Sequence, residues 1–251
     1  MSIRITKLIV IIIATIISTL MHAASPWENL DFITEEFPPY NYTESGIARG
    51  ITVDVLLESA ALAGLPLERR HIRSMPWARG YQMAQKGPGV LLFSMTRTND
   101  REHLFKWVGP IVPTRIILLA RRGQQLQMTK PSDLSTYKIG VIRDDIGHQL
   151  LNQLGIENKD LQISSSAVGL ANMLERGRID FWAYDEITAI WFIKKLGLDS
   201  SRFTSAYTLK DGETYYAFSL DTDDAQIAAL QKGLDQLKQQ QRYLDIINAY
   251  K

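Results

Sequence analysis

The chain has 251 residues, 45% of them hydrophobic, with 28 basic and 27 acidic side chains and no cysteine. That composition excludes disulfides, thiol catalysis and iron–sulfur ligation, and a formal charge of +1 gives little to attract a nucleic acid or an anionic membrane surface. His22, His71, His103 and His148 fall in no metal-ligand spacing, and no nucleophile elbow, phosphate-binding glycine loop or dinucleotide fingerprint is present, so neither metal nor cofactor is expected.

At the start, Arg4 and Lys7 precede an apolar run over residues 8–21, and the small residues Ala23, Ala24 and Ser25 follow it. This is the pattern of a cleaved secretory signal over residues 1–23, shorter than the roughly 20 apolar residues of a comfortable membrane span. Cleavage removes Arg4 and Lys7, leaving a formal charge of −1 and about 228 residues, enough for a sizeable core without disulfide support.

Apolar runs and helical patterns then alternate. The sequence predicts a strand over 30–34, a helix over 51–63 with Val55, Ala60 and Leu62 facing inward, a strand over 67–72, a helix over 77–85 and a strand over 90–94. An extended connector over 111–122 leads to a second series. That series has strands over 138–142, 161–164 and 179–183, and helices over 148–154, 168–176 and 187–196. A turn at Asp211-Gly212 precedes a second extended connector over 215–220, and helices over 225–239 and 243–250 close the chain. Two α/β series and two connectors predict two lobes, each a mostly parallel sheet flanked by helices: residues 24–117 with 215–251, and residues 118–214.

Ligands of open α/β sheets bind outside the carboxyl ends of the strands, where Ser94, Arg101 and Asp185 fall. A guanidinium at Arg101 facing a carboxylate at Asp185 complements a zwitterion such as an amino acid. Pro38-Pro39 makes Phe37 a rigid loop aromatic, and Trp77, after Pro76 at a helix start, is placed to line the other side of a cleft. Plainer roles exist for each. Arg101 can pair with Asp100 or Glu102, Asp185 and Glu186 suit a helix N-terminus, Asp144 can cap a helix, and aromatics most often serve the core.

Six stretches, in order, carry a resemblance: Glu36-Phe37-Pro38-Pro39-Tyr40, Gly50-Ile51-Thr52-Val53-Asp54, Ser94-Met95-Thr96 with Thr98-x-x-Arg101, Trp107-Val108-Gly109-Pro110, Lys138-Ile139-Gly140-Val141, and Gly177-Arg178-Ile179-Asp180 through Asp185-Glu186. The chain resembles the extracellular solute-binding proteins of family 3, the periplasmic receptors of polar amino-acid ABC transporters. The resemblance implies a two-lobed periplasmic-binding-protein fold of type II with two crossover hinge strands. It implies a monomer in the periplasm that hands an amino-acid-like solute to an inner-membrane permease. It assigns Arg101 to the ligand carboxylate, Ser94 and Thr96 to the same pocket, Phe37 to stacking on the ligand and Asp185 to the ammonium.

Where the family usually has Gly-Thr or Gly-Ser after the Ile-Gly-Val strand, this chain has Arg143-Asp144-Asp145, with Arg143 placed to replace the lost donors. Asp144, Asp145, Asp185 and Glu186 would then form an acidic wall against Arg143 alone, favouring a cationic or zwitterionic ligand with an extra amine or amide. Two alternatives use the same scaffold: an exported enzyme resembling cyclohexadienyl dehydratases, with Asp144, Asp145 or Glu186 as acid, and a receptor that feeds a sensor.

Overall fold

The computed structural model describes Trp27 and residues 29–250; the expected signal segment over residues 1–23 lies outside them. In chain order the first lobe carries β1 (Asp31–Thr34), a hairpin of β2 (Tyr42–Glu44) and β3 (Ile47–Arg49), α1 (Ile51–Leu62), β4 (Ile72–Ser74), α2 (Trp77–Lys86), β5 (Val90–Thr96) and β6 (Lys106–Val108). Strand β1 lies between β4 and β5, parallel to both. Every residue of β5 is buried, as expected for a strand covered on both faces.

Strand β7 (Pro113–Arg121) leads into the second lobe, which carries β8 (Ile139–Ile142), α3 (Ile146–Gln153), β9 (Leu161–Ser164), α4 (Ala167–Glu175), β10 (Phe181–Asp185) and α5 (Glu186–Lys195). Here β8 is flanked in parallel by β9 and β10, and β10 runs antiparallel to β7. The long strand β11 (Phe203–Phe218) returns: residues 203–213 pair with β7 and residues 214–218 with β5, so one strand serves both sheets. Helices α6 (Asp224–Lys238) and α7 (Gln241–Asn248) close against the first lobe, where Arg242 meets Glu58 of α1 at 2.7 Å.

Three local expectations fail. Asp211-Gly212 is not a turn: both residues lie inside β11, opposite Arg115 and Thr114. An Arg115–Asp211 ion pair at 2.9 Å spans the ladder there, and a Cβ on Gly212 would come within 3.3 Å of Thr96, so the glycine permits close packing rather than a reversal. Residues 67–72 are not one strand, because Arg69–His71 form a 3-10 turn and β4 starts only where Ile72 pairs with Phe32. Arg69 is drawn instead to Asp54, at 2.6 Å. Leu62 does not face inward; it is 40% exposed in the last turn of α1.

Apolar burial is continuous from the first lobe into the second through the aromatics Phe37, Trp182, Tyr184 and Phe192, all at most 6% exposed. On the outer face, α1 and α6 approach so closely that a Cβ on Gly233 would lie 2.1 Å from the Ser59 carbonyl oxygen. Alanine at a helix interior gains about 1 kcal/mol over glycine, but overpacking against a fixed carbonyl costs about 1–3 kcal/mol. Gly233→Ala is therefore expected to lower stability by roughly 1 kcal/mol, read as a lower midpoint in urea with an unchanged slope.

Candidate functional site

The carboxyl ends of β5, β8 and β10 face a common cleft, and the lobes are closed over it. Arg101 follows the turn at residues 98–100, its N–H reaching the Thr98 carbonyl at 3.1 Å. Its guanidinium is 1% exposed. Within its own lobe it donates to the Thr96 carbonyl at 3.1 Å; across the cleft it donates to Gln149 Oε1 at 2.9 Å and the Asp144 carbonyl at 3.4 Å. The rings of Trp77 and Tyr81 lie 5.6 and 5.2 Å from it. Desolvation lowers its pKa below the ordinary arginine value, opposed by the charges of Asp145 and Glu35.

The Asp144 carbonyl is the meeting point. Besides Arg101 it accepts from Trp77 Nε1 at 2.9 Å and Gln149 Nε2 at 3.0 Å. Asp144 has a φ of +60°, which aspartate tolerates better than most residues, so it holds a conformation that glycine would otherwise supply. Its N–H is fixed by His148 Nδ1 at 3.0 Å. Asp145 caps α3, accepting from the Ile146 N–H at 2.6 Å. Burial pushes the Asp145 carboxyl up to about 6, against the lowering pull of Arg101 and of the Ile146 bond.

Asp185 caps α5. One carboxylate oxygen accepts from the Thr188 N–H at 2.9 Å. The other accepts from Thr114 Oγ1 at 2.7 Å, the Arg115 N–H at 3.3 Å and the Tyr40 hydroxyl at 3.4 Å. The residue is fully buried, and desolvation raises its pKa despite these bonds. Ser94, at a φ of +52°, turns its hydroxyl to Asn41 Oδ1 and to Thr52 Oγ1, the latter at 2.9 Å. Thr96 is 5% exposed and contributes its carbonyl to Arg101. Phe37 stacks on Tyr40 at 5.0 Å and meets the ring of Tyr184 edge-on at 5.6 Å. Arg143 is exposed, with its backbone N–H on the Ser164 carbonyl at 2.9 Å.

A cavity of about 370 Å³ remains between the lobes, and of the residues expected at the site it is lined only by Trp77. Its other walls include Glu35, Glu36, Tyr184, Phe192 and Lys195. The expected acidic wall on the second lobe does not line it. Asp145 and Asp185 are spent on helix caps, Glu186 pairs with Arg115 at 3.7 Å, and Asp144 presents its carbonyl. The acids at the cavity come instead from the first lobe, Glu35 and Glu36, and sequence reasoning passed over them although they immediately precede Phe37. Burial, with the charges of Asp145 and Glu36, raises the Glu35 carboxyl well above the ordinary range, with Arg101 opposing. Among the described residues no group of acids or histidines is arranged to hold a metal ion.

Asp145 sets a pH dependence. A carboxyl near 6 when folded and 3.8 when unfolded binds its proton more tightly in the folded state. Stability is then fullest below about pH 4 and falls as pH rises through about 6. Asp145→Asn keeps an N-capping side chain and removes the buried charge. The variant is expected to gain on the order of 1–3 kcal/mol at pH 8, and its stability should decline less between pH 4 and 7 in thermal melts.

The family model for bacterial extracellular solute-binding proteins, family 3, matches residues 32–251, and the chain belongs to that family. No curated protein matches the sequence. Solved structures with this fold include a histidine kinase sensor domain with similarity to periplasmic binding proteins, at 19% identity and a TM-score of 0.76, covering 88% of this chain and 95% of that one. Another is the arginine-, lysine-, histidine-binding protein ArtJ from Geobacillus stearothermophilus, at 18% identity and a TM-score of 0.70, covering 88% and 94%. A third is a substrate-binding protein of an ABC uptake transporter from Streptococcus pneumoniae with bound histidine, at 13% identity and a TM-score of 0.73, covering 90% and 94%.

Proposed function

We propose that the chain captures a small amino-acid-like solute between its two lobes in the periplasm and delivers it to an ABC permease of the inner membrane, catalysing no reaction itself. The observation that carries this reading is the state of Arg101. It is a buried cation held by three oxygen dipoles and two aromatic faces, with no ion pair among the described residues. A carboxylate offers such a guanidinium two parallel charge-assisted bonds, each worth about 1.5–3 kcal/mol where water is excluded.

With the lobes apart, Gln149 and the Asp144 carbonyl leave Arg101, and a solute carboxylate takes their place before closure buries it. Closure pivots where β7 and β11 pass between the sheets, at lobe boundaries near residues 117 and 214; the pairing of β11 changes there from β7 to β5. Ser94 and Thr96 back the carboxylate, and Phe37 and Trp77 bracket the solute. Asp185 receives its ammonium in place of the Tyr40 hydroxyl, the longest of its contacts at 3.4 Å. A second reading, a receptor that feeds a sensor, is favoured by the likeness to a histidine kinase sensor domain. Capture of inner-membrane partners separates the two readings: a permease supports the first, a kinase the second.

A thermal-shift screen against amino acids, amines and aromatic acids is expected to find a ligand, since one present at 100 times its Kd adds about 2.7 kcal/mol of stability. Calorimetry with that ligand should show Arg101→Ala weakening binding by at least about 100-fold, or about 2.7 kcal/mol. Arg101→Lys should bind poorly as well, because a point charge lacks the guanidinium fork. Full affinity in a folded Arg101→Ala variant would remove this residue from the site.

A further inference from the structure

We propose that Glu35 on the first lobe and Tyr184 on the second form a subsite for a cationic nitrogen group, an amine or guanidinium, of the captured solute. The proposal rests on the receptor reading above and adds the chemistry of the ligand's far end. Tyr184 is 1% exposed, lines the cavity, and has a hydroxyl without a hydrogen-bond partner among the described residues. A buried hydroxyl left unpaired is destabilising, and a ligand polar group in the cavity removes that cost. Its ring is held rigidly, stacked on Trp182 at 4.9 Å and met edge-on by Phe37.

Glu35 stands on the same cavity, and its carboxyl makes no hydrogen bond or ion pair among the described residues. The neighbouring Glu36 is already engaged, accepting from the Thr43 N–H at 3.0 Å and from Ser74 Oγ at 3.2 Å. The one lysine on the lining, Lys195, lies over the ring of Trp191 at 4.7 Å. What the cavity offers is thus an uncommitted carboxyl, an uncommitted phenol and the aromatic surfaces of Trp77, Tyr184 and Phe192. That set suits a nitrogen cation with several N–H donors, through charge-assisted hydrogen bonds and the ring faces. It suits a carboxylate poorly.

A proton accompanies the event. The groups acting on Glu35 are Glu36 on its own segment, Asp145 across the cleft, the opposing Arg101, and Tyr184. Burial, Asp145 and Glu36 hold the Glu35 carboxyl well above the ordinary carboxylate range, with Arg101 opposing. An ammonium or guanidinium beside it lowers the carboxyl's pKa, so the carboxylate pairs with the ligand cation and the proton given up passes to the buffer.

Matched ligand pairs test this: L-arginine against L-citrulline and L-lysine against L-norleucine, each with and without the terminal charge. Calorimetry of the full mature protein at pH 7, in buffers of differing ionisation enthalpy, is expected to show a cation binding at least about tenfold tighter than its neutral partner, with net proton release. Glu35→Gln should erase the proton release and most of that preference while leaving the neutral ligand within about threefold; Tyr184→Phe, which keeps the ring, should weaken the cation by about 3- to 30-fold. Asp145→Asn should still release the proton, which identifies Glu35 as its source. A neutral ligand that binds as tightly as its cation, or a cation preference unmoved by Glu35→Gln, overturns the subsite while Arg101-dependent binding preserves the receptor reading. Binding of none of the four ligands, nor of any other compound in the screen, overturns both.

Discussion

The Asp144 carbonyl is the point on which closure of the cleft depends. Three donors converge on it, two of them, Trp77 and Arg101, from the opposite lobe. A carbonyl can serve in this way only where the backbone turns outward, and the left-handed conformation of Asp144, steadied by His148, provides that turn. The same face positions Arg101, whose guanidinium, on the segment after β5, donates across the cleft to Gln149 of α3. Cleft geometry and the burial of Arg101 are therefore linked through its second-lobe partners.

That event also explains the electrostatics around it. Glu35, Asp145 and Asp185 are all held above ordinary carboxylate pKa values, and in each case desolvation is the largest cause. Arg101 lowers two of them, but one guanidinium cannot ionise every acid it faces. The acids divide by what satisfies them. Asp145 and Asp185 cap helices and accept backbone N–H groups, so their charge is partly met by the fold. Glu35 borders the cavity and has no such donor among the described residues, which is the feature the proposed subsite uses.

The two long strands give this arrangement its mechanics. Because β11 pairs with β7 in one half and with β5 in the other, the lobes share continuous backbone rather than a loose linker. In the proposed closure, bending of this pair is what changes the angle between the sheets while leaving each sheet's ladder intact. Aromatic contacts, above all Phe37 against Tyr184, then join the lobes once they meet.

Much of this was legible in the residues alone. The alternation of apolar runs and helical periods located the α-helices of the described residues and the buried parallel strands, since burial on both faces demands continuous apolar strands and amphipathic helices, but it missed the β2–β3 hairpin, β6 and the first half of β11. Arg101, Asp185, Ser94 and Trp77 could be placed at strand or helix ends for the same reason. Local patterning misled where charges and close packing outweighed turn chemistry, as at Asp211-Gly212, which an Arg115 ion pair and the Thr96 and Thr114 side chains draw into a strand. It also could not say which way a polar side chain points. Asp144 and Asp185 read as candidate ligands, yet one offers its carbonyl and the other caps a helix, while Glu35 and Tyr184 carried no signal apart from neighbouring residues already singled out. Spacing along the chain determines which residues share an element. Which of them face an unfilled space depends on contacts across the cleft, between segments up to about a hundred and fifty residues apart, and only the tertiary structure decides those.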